Sequence, residues 1–97
     1  MEGTISLEVI MNVWFMLQRA QLTRSQAADY FADGIYAESQ YDSVITQMHN
    51  VEHRCKSIIG SIRFTGKVYK IPESLIEDAN KISKSFIAIS KLDKIKN

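Results

Sequence analysis

Ninety-seven residues supply one domain with one modest core and leave little room for a deep catalytic cleft. The composition is 45% hydrophobic and 24% charged, with four Gly and one Pro. It excludes wholesale disorder and confines expected fraying to Lys94 to Asn97. The net charge of +1 is unevenly spread. Residues 1–53 total −5, with two arginines against seven carboxylates, and residues 54–97 total +6, with ten cations against four carboxylates. A polyanion would meet the C-terminal half first, although internal neutralisation with solvated charged faces accounts for the balance equally well.

Cys55 is the single cysteine, so no internal disulfide framework exists and a reducing compartment fits. Met1-Glu2-Gly3 lacks a basic leader region. The most apolar stretch, Leu7 to Leu17, is interrupted by Glu8 and Asn12 and is too short to span a bilayer. A soluble, cytoplasmic protein with no membrane partner is the expectation.

The first helix is predicted from about Leu7 to Ala20, with Ser6 as its N-cap. Leu7, Ile10, Val13, Trp14 and Leu17 gather on one side of it. Glu8, Asn12 and Arg19 form an opposite polar stripe that contains Phe15, so either the same chain or a partner should cover that ring. Thr23-Arg24-Ser25-Gln26 has the pattern of a capping box, with Leu22 and Ala27 as its hydrophobic staple. A second helix is therefore predicted from Thr23 to about Ala32, stopped by Gly34 in a left-handed conformation. A third helix is predicted from about Ala37 to His53, buried on Tyr41, Val44, Ile45, Met48 and Val51 and free on Ser43, Thr46, Gln47 and Asn50.

After Arg54 the pattern becomes β-rich. Ser57–Phe64 and Lys67–Ile71 flank a Thr65-Gly66 turn signal, and a two-residue loop would set Phe64 opposite Lys67 and Ile62 opposite Tyr69. Pro72 suits the first turn of a last helix, and Ser74 to Glu77 offers another capping box. Leu75, Ala79, Ile82, Phe86 and Ile89 continue that helix to about Leu92, with a strand at Phe86 to Ile89 as the alternative. The expected fold is thus mainly α with a small β-hairpin, a winged helix-turn-helix occupying one domain over residues 1–97. The helix-turn-helix covers 22–53, the wing 56–71 and the C-terminal helix 72–92.

Catalytic signals are missing from the sequence. There is no Gly-rich phosphate loop, no nucleophile-and-base signature and no paired carboxylates at a distinctive spacing, so neither an enzyme nor a cofactor is expected. His49 and His53 share a helix face at i, i+4 near Cys55, but a fourth local ligand is absent and no metal site is expected. A solvated helix face ending in a buried thiol accounts for these three residues.

Residues 22–31 have the character of the first helix of a helix-turn-helix, with Ala27 or Ala28 allowing close approach and Phe31 closing the core. Residues 37–53 would then be the recognition helix, with Gln47 and Asn50 suited to adenine edges and Ser43 and Thr46 to base or phosphate. The Phe31–Ile35 turn is about two residues longer than the tight form, and Asp42 without any cation before Arg54 is unfavourable beside phosphates. Phosphate contacts would come from Arg24, Arg54, Lys56, Arg63, Lys67 and Lys70, most of them on the wing.

Leu7 to Leu17 with Trp14, Leu22 to Phe31 and Val44 to Met48 together resemble the CaiF/GrlA-type bacterial transcriptional regulators over residues 7 to about 71. That resemblance implies a winged-helix, DNA-binding regulator encoded by a bacterium or a mobile element. Double-stranded DNA is the expected partner. A homodimer through Phe15, Ile82, Phe86 and Ile89 would match a palindromic site. The competing expectation is a small protein-binding module, such as a secretion chaperone or phage-type inhibitor, acting through its acidic N-terminal half or its apolar helix faces.

Overall fold

Between Ser6 and Asp33 the chain contains neither Gly nor Pro. In the computed structural model, which describes residues 1–96, that stretch is one unbroken helix, α1 (Leu7–Ala32). Ser6 caps it as expected, its Oγ accepting a hydrogen bond from the Val9 amide at 3.2 Å. The break predicted between Ala20 and Thr23 does not occur. An interruption there would orphan backbone groups at two new helix ends, whereas continuation satisfies them all. The Thr23 capping signature therefore goes unused, and Ala20 and Ala27 are both buried along the unbroken helix.

The chain turns through Asp33–Ala37, where Gly34 has a φ of +76° and supplies the predicted left-handed stop. The Ile35 and Tyr36 amides both donate to the Tyr30 carbonyl. The Ala37 amide donates to Gln40 Oε1 at 2.9 Å and opens α2 (Glu38–Gly60). This helix runs seven residues beyond the predicted His53 and absorbs Ser57–Gly60, the expected start of a strand. Cys55 and Ile58 recur at helical spacing and are fully buried, so core packing overrides the β preference of the isoleucines.

Three strands follow a 1-3-2 order. β1 (Glu2–Ile5) and β2 (Arg63–Thr65) both pair antiparallel with β3 (Val68–Pro72). The hairpin exists, but its register differs from the predicted one: Phe64 opposes Tyr69 and Arg63 opposes Lys70. Gly66 and Lys67, at φ of +59° and +70°, form the two-residue turn, the double positive φ that matches strand twist. The Phe64 and Tyr69 rings then pair at 4.9 Å, which the alternative register would lose. β1 lies outside the predicted elements. Pro72 ends β3 instead of opening the last helix, α3 (Glu73–Lys96), and Ser74 lies inside that helix, not at its cap. Helix continues through Phe86–Ile89, where a strand was the alternative, and on to Lys96. Asn97 lies outside the described residues.

The protein is therefore mainly helical, with three helices and a small three-stranded antiparallel sheet. The core sits at the sheet end, where Val13, Met16 and Leu17 meet Cys55 and Ile58, Ile5 and Ile71, and Ala79 and Ile82. α2 returns antiparallel to α1, bringing Arg24 to Glu52 and Phe31 to Tyr41. α3 runs in the same direction as α1, with Asn12 on Ser83, Phe15 on Phe86 and Arg19 on Asp93. Residues 24–32 and 38–47 thus extend beyond most of α3 as a two-helix stalk, and the molecule is 52 Å long against 28 and 17 Å in the other directions.

Candidate interaction surfaces

Ser43, Thr46, Gln47 and Asn50 are all exposed on α2, as expected. Their setting is acidic. Residues 25–53 hold Asp29, Asp33, Glu38, Asp42 and Glu52 and no Lys or Arg. At the stalk's tip Tyr30 packs edge-on against Tyr36 at 5.3 Å and Phe31 against Tyr41 at 4.8 Å. Tyr30, Phe31 and Ile35 remain exposed there.

The six expected phosphate contacts divide into two groups. Arg24 approaches Glu52 Oε1 at 3.2 Å and lies 3.4 Å from the His49 ring. Arg54 grips Asp78 through both Nε and Nη2. That bidentate bond raises the Arg54 pKa and holds the Asp78 carboxyl below its ordinary value. Arg63 pairs with Glu2 across the sheet at 2.6 Å. Lys56, Lys67 and Lys70 have no salt bridge among the described residues. The hairpin brings Arg63, Lys67 and Lys70 together, but not beside the stalk face. From Asn50 to the end of α2 is about 15 Å of helix, and from Ser43 about 25 Å.

The expected dimer residues also separate. Ile82 is buried in the core and cannot meet a partner. Ile89 is half-buried and lines a 450 Å³ groove with Met16, Ala20, Met48 and Val51. Phe15 rests on Phe86 at 5.7 Å yet stays partly exposed. Leu7 and Trp14, expected on the buried side of the first helix, are exposed. The helix rolls its Val13–Met16–Leu17–Ala20 edge inward because both α2 and α3 pack on that edge.

His49 and His53 sit on the surface, while Cys55 is fully buried on another face of α2, its thiol pushed up to about 11 by burial. Between the histidines in sequence lies Glu52, a buried carboxylate that sequence reasoning missed. Its place four residues after Met48 and three before Cys55, on the packed stripe, was the available signal.

No family model matches the chain, and neither does any curated protein or solved structure. Among the described residues, no helix is long and apolar enough to cross a membrane. The surfaces themselves must therefore carry the functional reading.

Proposed function

We propose that this protein is a small helical binding module that engages a basic protein partner through its acidic stalk. The charge of the stalk carries this reading: from Ser25 to Val51 the chain holds four exposed carboxylates, Asp29, Asp33, Glu38 and Asp42, and no Lys or Arg, the buried Glu52 being matched by Arg24. The α1–α2 tip lies at the opposite end of the molecule from the cationic hairpin. Phosphates would be repelled along α2, whereas a lysine- or arginine-rich surface would be steered to it. Tyr30, Phe31 and Ile35 add exposed apolar area at the tip, and aromatics are prominent among residues that dominate interface energy. The role is one of binding, not catalysis, and the lone reduced thiol suits the cytoplasm.

The test compares retention on immobilised polylysine and on heparin over a salt gradient. Wild type should elute from polylysine at higher salt than from heparin, and joint Asp29→Asn, Asp33→Asn and Asp42→Asn substitution should abolish the polylysine retention. Retention on heparin alone would overturn the reading.

A second reading, a winged-helix DNA-binding regulator of the CaiF/GrlA type, is favoured by the hairpin that carries Arg63, Lys67 and Lys70 after two helices. On that reading Arg63→Ala with Lys67→Ala weakens binding to all DNA sequences and flattens the salt dependence by roughly one slope unit per lost contact. Gln47→Ala or Asn50→Ala costs about 1–3 kcal/mol on a preferred site only. Hairpin variants that bind DNA as well as wild type would eliminate it.

A further inference from the structure

α1 is apolar on two nearly opposite sides. Val13, Met16, Leu17, Ala20 and Ala27 face the core. On the other side Leu7, Met11, Trp14, Phe15 and Leu22 are exposed by 53, 45, 47, 39 and 60%. At about 100° per residue these five occupy an arc of roughly 100°, about 22 Å long. Between residues 7 and 25 that arc otherwise contains Gln18 and Ser25, both uncharged. Asp29 marks where the stripe gives way to the acidic stalk.

The order of residues along the stripe points to its occupant. Leu7 with Leu22, Met11 with Gln18 and Trp14 with Phe15 are three pairs symmetric about the midpoint between Trp14 and Phe15. We infer that this face is covered by α1 of a second copy, antiparallel, about a two-fold axis passing between Trp14 and Phe15. Each Leu7 then meets the other copy's Leu22, each Met11 its Gln18, and the four aromatic rings share the centre, where interface energy concentrates.

Charge at the flank selects this arrangement. Glu8 and Arg19 lie on the same border of the stripe, about 20° apart around the helix axis. The two-fold brings Glu8 of one copy beside Arg19 of the other, with an axial offset of about 3 Å, and repeats the contact by symmetry. In a parallel pair the two-fold runs along the helices and would set this border beside the opposite, uncharged one with Ile10 and Gln21, so neither contact would form. Arg19 spends one nitrogen on Asp93 at 2.9 Å and keeps further donors for a second carboxylate. In this dimer the two stalks point in opposite directions, presenting two separated acidic tips.

Sedimentation equilibrium of the full chain at micromolar concentration should give a dimer. Trp14→Lys should be monomeric with an unchanged far-ultraviolet circular dichroism spectrum, because position 14 is exposed. Single variants Met11→Cys and Gln18→Cys, mixed and gently oxidised, should form a mixed disulfide, while each alone should not self-couple. Cys55, fully buried, stays out of the reaction. A monomeric wild type, a dimer indifferent to Trp14→Lys, self-coupling of Gln18→Cys or absence of the mixed disulfide would each overturn the inference.

Discussion

The Glu52 carboxylate is held between α1 and α2 with only 4% of its side chain exposed, and Arg24 Nη2 lies 3.2 Å from its Oε1. Neither carboxylate oxygen has an aligned hydrogen bond among the described residues, so Arg24 carries the compensation almost alone. The contact ties the base of the stalk together across the two helices. An Arg24→Ala variant strands a buried charge and should lose about 3 kcal/mol, the low end for a broken buried pair because the guanidinium is partly solvated. Replacing both residues, as Arg24→Met with Glu52→Leu, should recover most of that loss. Urea denaturation of the two variants checks both outcomes, and an unaffected Arg24→Ala protein would remove Glu52 from the account.

A second ion pair contributes to stability in acid. Because the bond from Arg54 lowers the folded-state pKa of Asp78, the folded state favours the ionised form. The resulting stabilisation is complete above the ordinary aspartate value of about 3.9 and is lost as pH falls through the lowered folded value. Asp78→Asn should therefore melt lower than wild type near neutrality, and the two melting curves should converge in strong acid. Melting temperatures measured across that range would expose an error as a constant gap.

The hairpin turn contains a correctable strain. Lys67 holds a φ of +70°, where its Cβ crowds the backbone, while Gly66 at +59° has no such cost. Lys67→Gly should stabilise the protein by about 0.5–1 kcal/mol, and Gly66→Ala should destabilise it by about 1 kcal/mol. Thermal melts read both signs directly, and a destabilised Lys67→Gly protein would contradict the turn assignment.

Cys55 should be chemically silent in the folded state. Its side chain is fully buried, and a thiol pushed up to about 11 holds little thiolate at neutral pH. An aromatic disulfide reagent should label it only as fast as the chain unfolds, with the rate rising in urea in step with unfolding. Rapid labelling without denaturant would place the thiol outside the core.

Much of the secondary structure was legible in local sequence. The Ser6 cap, the Gly34 stop, a hairpin around Gly66 and the helical C-terminal segment each depend on the conformational limits of one or two residues and their neighbours. The concentration of acid in residues 25–53 was equally legible, being a matter of counting. Tertiary packing decided the rest. Whether the chain breaks at Thr23 depended on whether capping or an uninterrupted helix satisfied more of the backbone, and the unbroken α1 packs along α2. Whether Ser57–Gly60 became strand or helix depended on burying Ile58 beside Cys55. The side of α1 that turned inward depended on where α2 and α3 docked, which moved Leu7 and Trp14 to the surface and Ile82 into the core. Local rules act through bonds within a turn or two of chain. The rotation of a helix about its own axis is set by partners dozens of residues away, and on α1, apolar on two sides, periodicity alone could not choose between them.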